Sequence, residues 1–210
     1  MATASGTKAE NFKTICAKDN MSLRKNNDMN LFSLEYMYEN PDFEITSLLN
    51  VNLYNLLFQV NKDIIDTIEV TPAFEVDKTA KKDNNEYFIL FLLKEISMDL
   101  GGVKRYMYVH TQINTRYTEN EKAGTEIIFT SKSVPYYNHE YLISNKYKVL
   151  EYPLYIQKYI IIDPHRIQVI HMFKLKPKGE ELTFTVENAI GIFIKKIQFR
   201  LKQAIEQLRL

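Results

Sequence analysis

Four histidines and one cysteine are the side chains of this chain best suited to acid–base, metal or nucleophilic chemistry, and their spacing supports none of the three. His110, His139, His165 and His171 contain no i, i+2 or i, i+4 pair of the kind that closes on a metal with a nearby carboxylate. Cys16 has no histidine near it in sequence to take its proton. A single cysteine also excludes an intramolecular disulfide and a Cys-based zinc site, and it fits a reducing compartment. Asp163-Pro164-His165-Arg166 has the residue types of a catalytic run, but a turn with Pro at its second position explains all four. Gly101-Gly102 is followed by no Lys-Ser/Thr pair and opens no helix, so it is not a phosphate loop. No paired-carboxylate motif is readable. The sequence predicts a non-enzyme with no catalytic residue, no metal and no cofactor.

Binding chemistry has more to work with. His110, Gln112, Asn114 and Arg116 share one face of an alternating strand. A solvated strand face accounts for them. The alternative is a polar lining inside a sheet closed over a ligand, where Arg116 offers a bidentate contact to a carboxylate or phosphate. His171 shares its predicted face with Ile167, Val169, Phe173 and Leu175. A lone histidine there is as a rule a hydrogen-bonded core residue; inside a cavity it would be a polar anchor. Tyr106, Tyr108, Tyr117, Tyr136, Tyr137, Tyr141, Tyr147, Tyr152, Tyr155 and Tyr159 alternate with Lys104, Arg105, Lys146, Lys148 and Lys158. Such a mixture suits a stacking platform for single-stranded nucleic acid, and it suits a protein–protein interface equally well.

These residues must be held by the elements the periodicity predicts. Residues 1–30 are polar and read as a flexible arm, leaving 31–210 as one domain. Leu31–Tyr38 alternates, with Phe32, Leu34, Tyr36 and Tyr38 on one side, so it reads as a half-buried strand. Thr46 or Ser47 is a candidate N-cap for one helix over 47–68, carried by Leu49, Leu53, Leu56, Leu57, Val60, Ile64 and Ile68. From Glu86 to Val186 the pattern has a period of two, with turns at Gly101-Gly102, Asn120–Gly124, Asp163–His165 and Pro177–Gly179. At Asn188 the period becomes helical and holds to Leu210. Ile190, Ile194, Ile197, Leu201, Ile205 and Leu208 form its apolar stripe, with Phe193 and Ala204 beside it. Lys195, Lys196, Arg200, Lys202 and Arg209 are read onto the opposite face.

With 45% apolar residues the chain can build a core without disulfide or metal. Its 14 tyrosines and 12 phenylalanines, with no tryptophan, must supply the aromatic packing. Six glycines beside abundant Ile, Asn and Lys match the coding bias of an AT-rich genome, such as that of a parasite or a large DNA virus. Net charge is +1, with an acidic excess in the first hundred residues and a basic excess after them. Met1–Glu10 lacks the apolar stretch of a secretory signal. Runs such as Phe88–Leu93 and Tyr159–Ile162 are too short to span a bilayer. A soluble, cytoplasmic protein with no transmembrane segment is expected.

The predicted class is therefore α+β: an antiparallel sheet of about six to seven strands wrapped around a long C-terminal helix, with one further helix near 47–68. That order of elements, carried by Leu31–Tyr38, Leu49–Ile68, the strands between Glu86 and Val186, and Ile190–Leu208, resembles the START/Bet v 1-like helix-grip superfamily. The resemblance is architectural. It implies an apolar ligand such as a lipid held between sheet and helix. On that reading Ile190, Phe193, Ile194, Ile197 and Leu201 line the cavity, and His110, Arg116 and His171 are its candidate polar contacts. Two alternatives stand beside it: an assembly protein acting as a homo-oligomer or a subunit of a larger particle, and a nucleic-acid binder using the basic C-terminal half.

Overall fold

A computed structural model of the chain describes residues 11–76, 85–95, 103–117, 125–177 and 183–209. In chain order its elements are β1 (Lys13–Lys18), β2 (Met21–Asn26), β3 (Leu31–Glu39), a 3-10 turn (Ile45–Leu48), α1 (Asn52–Val60), β4 (Ile65–Pro72), α2 (Ala73–Val76), β5 (Glu86–Leu93), β6 (Arg105–Arg116), β7 (Glu126–Ser133), α3 (His139–Ser144), β8 (Lys148–Asp163), β9 (Arg166–Pro177) and α4 (Phe184–Gln207). Among the described residues the strands make one nine-stranded sheet in the order β1-β2-β3-β9-β8-β7-β6-β5-β4. Neighbours in that order run antiparallel. β8 is long enough to pass the end of β7 and pair in parallel with β6, where Arg105 meets Lys148 and Tyr106 meets Val149. The α+β class and the sheet wrapped on a C-terminal helix are as the period switch predicts.

One face of the sheet is the core. Phe32, Leu34, Tyr36 and Tyr38 of β3 are buried, and the register sets them beside Phe173, His171, Val169 and Ile167 of β9. The α4 stripe of Ile190, Ile194, Ile197, Leu201 and Ile205 belongs to the same cluster. Each such side chain removed from water contributes about 1.5–3 kcal/mol. Gly191 lets α4 come close: a Cβ there would lie 2.7 Å from the Phe32 ring, which stacks on Phe173 at 5.2 Å. The other face of the sheet carries a second cluster of Leu90, Tyr106, Tyr108, Leu142 and Tyr147.

Several expectations need correction. Residues 13–26, read as part of a flexible arm, form β1 and β2; residues 1–10 lie outside the described residues. The hairpin between them turns on Asp19 and Asn20, with φ of 59° and 56°. Two left-handed residues are what a type I′ two-residue hairpin turn requires, and Asp and Asn tolerate that conformation. The helix expected over 47–68 is α1 alone, ended at Asn61, whose side-chain amide donates to Leu57 O at 3.0 Å. Ile65, Thr67, Ile68, Val70 and Thr71 are β-branched and form β4 instead. Neither Thr46 nor Ser47 caps α1. Phe184–Val186, expected in a strand, is the first turn of α4, and the Thr183 hydroxyl accepts from Val186 N–H. The turns at 101–102, 120–124 and 178–179 lie outside the described residues. Lys195 and Lys202, read onto the face opposite the apolar stripe, are buried. Lys195 donates to Lys18 O at 3.0 Å and Lys202 pairs with Glu206. No helix of the described residues is long and apolar enough to cross a membrane.

A candidate ligand site between the sheet and the C-terminal helix

Alternation along β3, β8 and β9 turns Tyr36, Tyr155, Gln157, Tyr159 and His171 to the inner face, and all five are buried. On α4, Gln198 lies three residues before Leu201 and four after Ile194, so it sits within the apolar stripe and is 3% exposed. His171 is the centre of the group. Tyr36 OH lies 3.0 Å from its Nε2 and Tyr155 OH lies 3.0 Å from its Nδ1. Gln198 reaches both tyrosines: Tyr36 O–H donates to its Oε1 at 3.3 Å, and its Nε2 donates to Tyr155 OH at 3.5 Å. Gln157 Nε2 also donates to Tyr155 OH, at 3.1 Å.

The donor inventory fixes the direction of every bond. An amide oxygen only accepts, so the single Tyr36 proton goes to Gln198 Oε1. His171 must then carry its hydrogen on Nε2 and donate it to Tyr36, and Tyr38 O–H donates to the same oxygen at 3.2 Å. Nδ1 is left as acceptor for Tyr155 O–H. The result is a closed loop, Tyr155 to His171 to Tyr36 to Gln198 and back to Tyr155, tying three strands to α4. Burial alone lowers the His171 pKa to about 3, so the ring is neutral near pH 7. Burial also raises Tyr36, Tyr155 and Tyr159 well above the ordinary phenol range. On the inner face of β8, two polar atoms stand outside the loop. Gln157 Oε1 and Tyr159 OH are buried and have no hydrogen-bond partner among the described residues.

The sequence-derived candidates divide between two faces. His171, Ile190, Ile194, Ile197 and Leu201 meet on the inner side, and Phe193 is half-buried against the same core. His110 and Arg116 do not join them, which corrects their placement as contacts in one cavity with His171. His110 lies outward, with Nε2 3.2 Å from Glu86 and its ring 5.1 Å from that of Phe88; Arg116 is exposed. Their strand's inner positions are Met107, Val109 and Thr111. The tyrosine series is also dispersed. Tyr152, Tyr155 and Tyr159 face the main core; Tyr106, Tyr108 and Tyr147 pack in the outer cluster. Only Tyr117, Tyr137 and Tyr141 of that series are strongly exposed, so a continuous stacking platform is not formed. Asp163–Arg166 is a turn: Asp163 accepts from His165 N–H at 2.9 Å and from Arg166 Nε at 2.7 Å, and Arg166 lowers the carboxyl pKa. Sequence reasoning missed Tyr36, Tyr155, Gln157, Tyr159 and Gln198 as site residues.

A sheet curled about one long C-terminal helix is the START/Bet v 1-like helix-grip fold. Among solved structures the chain is similar to the human StarD13 (DLC2) lipid transfer and protein localization domain, with a TM-score of 0.65 and 14% identity over 95% of this chain and 91% of that one. It is also similar to human STARD10, with a TM-score of 0.63 and 11% identity over 95% of this chain and 74% of that one. Human StAR-related lipid transfer protein 5 aligns with a TM-score of 0.58 and 10% identity over 95% of this chain and 86% of that one. No protein-family model matches the chain, and no curated protein matches it in sequence.

Proposed function

We propose that the chain is a non-enzymatic binding domain that takes a hydrophobic small molecule, such as a lipid, between α4 and the inner face of the sheet. The observation that carries this reading is the neutral His171–Gln198 ring set in an otherwise apolar and aromatic interior. An apolar site with a few convergent polar groups is the usual chemistry of small-molecule recognition. The shared fold supports it, since two of the similar structures are named for lipid transfer. The inner space is filled by side chains such as Phe129, Tyr159 and Phe173, so binding requires α4 or α1 to shift from the sheet.

Native mass spectrometry of gently purified protein, followed by solvent extraction, tests the reading. A bound species of a few hundred daltons, displaced when Ile197→Trp fills the interior, is the expected result. Unliganded protein that also fails to take up any apolar probe would overturn it. A second reading, an assembly domain, rests on the exposure of Tyr137, Tyr141 and Ile143 at 78%, 60% and 59%. Light scattering separates the two, because Tyr141→Ser would lower an assembly's mass and leave ligand binding intact.

A further inference from the structure

The hydrogen-bonding groups of the interior are not all engaged. The Tyr36 oxygen receives protons from His171 and Tyr38, and the Tyr155 oxygen receives them from Gln157 and Gln198. Each hydroxyl gives its own proton away within the ring, so neither has capacity left for a ligand. Gln157 Oε1 and Tyr159 OH do have capacity. They stand two residues apart on β8 and therefore on one face, and Gln157 and Tyr159 are 5% and 0% exposed. Register sets Gln157 beside His171 and Tyr159 beside Val169, at the middle of the inner face. A buried polar atom with no partner is uncommon and destabilising, and one oxygen that must accept next to one that can donate is a matched pair.

We infer that this site takes an uncharged apolar alcohol, with Gln157 Oε1 accepting the ligand's hydroxyl proton and Tyr159 donating its own to the ligand oxygen. The inference rests on the binding function proposed above and adds the chemistry of the ligand's polar end. A carboxylate or phosphate ester is disfavoured there. Every group hydrogen-bonded in or to the ring is a neutral tyrosine, glutamine or histidine. An anion buried among them would lose its hydration with no cation to replace it. On either side of Gln198 in α4, Lys195 is already engaged with Lys18 O, Arg200 with Asp63 and Lys202 with Glu206.

Titration of the full chain with 1-dodecanol, its methyl ether, dodecanoate and dodecyl phosphate holds the tail constant and varies only the head. All are kept below micellar concentration near neutral pH and read by native mass spectrometry. Dodecanol should bind about tenfold or more tightly than either anion. The ether, which cannot donate to Gln157, should fall between. Tyr159→Phe and Gln157→Leu should each weaken dodecanol by roughly three- to tenfold, the worth of one hydrogen bond. Gln157→Leu should bind the ether and the alcohol nearly alike, Tyr159→Phe should weaken both together, and each variant should keep the wild-type circular dichroism. Anions that bind as tightly as the alcohol, or an alcohol preference that survives both variants, would overturn the assignment while the hydrophobic-ligand reading stands. If no probe binds, that reading falls, and the assignment with it.

Discussion

His171 on β9 and Gln198 on α4 share two tyrosine hydroxyls: Tyr36 stands between His171 Nε2 and Gln198 Oε1, and Tyr155 between His171 Nδ1 and Gln198 Nε2. Through the ring the helix is joined to the middle of the sheet by hydrogen bonds as well as by apolar packing. Its first consequence is a pH dependence. His171 has a pKa of about 3 in the folded state against an ordinary 6.5. Between those values the unfolded chain binds the extra proton, so stability is fully present above pH 6.5 and falls as the pH drops towards 3. The slope from this one group approaches ~1.4 kcal/mol per pH unit. Urea unfolding at several pH values across that window should show a shallower dependence in His171→Gln than in the wild type. An unchanged slope would mean that His171 is not buried neutral.

Removing the Tyr159 hydroxyl should help the unliganded fold. The oxygen is buried without a protein partner, so Tyr159→Phe is expected to raise stability by about 1 kcal/mol. Tyr36→Phe, which opens the ring and strands His171 and Gln198, should lower it by ~1–3 kcal/mol. Thermal unfolding of the two variants side by side checks the contrast, and a loss in both would remove the distinction drawn between the two tyrosines.

Gly191→Ala sets helix propensity against packing. Alanine favours the helix by about 1 kcal/mol. Its methyl would press on the Phe32 ring, which is 3% exposed and stacked on Phe173. Overpacking of that kind costs ~1–3 kcal/mol, so a net destabilisation of about 1 kcal/mol is expected in chemical denaturation. A more stable variant would show that the helix is free to move outward.

Asn40 closes the other end of α4. Its amide donates to Ile205 O at 2.6 Å and to Leu208 O at 3.0 Å, and it is 1% exposed. Those carbonyls are among the last of the helix, where Ile205 O otherwise accepts only the Leu208 N–H at 3.3 Å and Leu208 O only Arg209 Nη1 at 2.8 Å among the described residues. Asn40→Ala should cost ~1–3 kcal/mol, and Asn40→Asp should cost more, because a carboxylate would face two carbonyl oxygens. Hydrogen exchange should report the loss first in the last turn of α4.

Much of this architecture can be read from one residue to the next. The alternation of Phe32, Leu34, Tyr36 and Tyr38, the inward face of His171, and the Ile190–Leu201 stripe are local patterns, and each lies where its period predicts. β1 was hidden because Lys13–Lys18 is mostly exposed and carries little apolar signal. β4 was hidden because Ile64 and Ile68 happen to continue the spacing of α1. The ring was illegible for a different reason: Tyr36 and His171 are 135 residues apart, and Tyr36 and Gln198 are 162 apart. Only strand register brings them together. A signal was still present in Gln198, a polar residue inside an apolar stripe, and in Gln157 between two inward tyrosines.

All nine strands of the described residues precede α4 in the chain. A ribosome adding about 5–20 residues per second therefore delivers the whole sheet before the helix that covers it. Until α4 docks, the concave side has its aromatic residues, its histidine and its tyrosine hydroxyls but no lid. During synthesis these hydroxyls keep their hydration, and desolvation falls on the final docking step. The apolar surface that waits for α4 is thus interrupted at its centre by hydrated groups, which the docked helix then encloses.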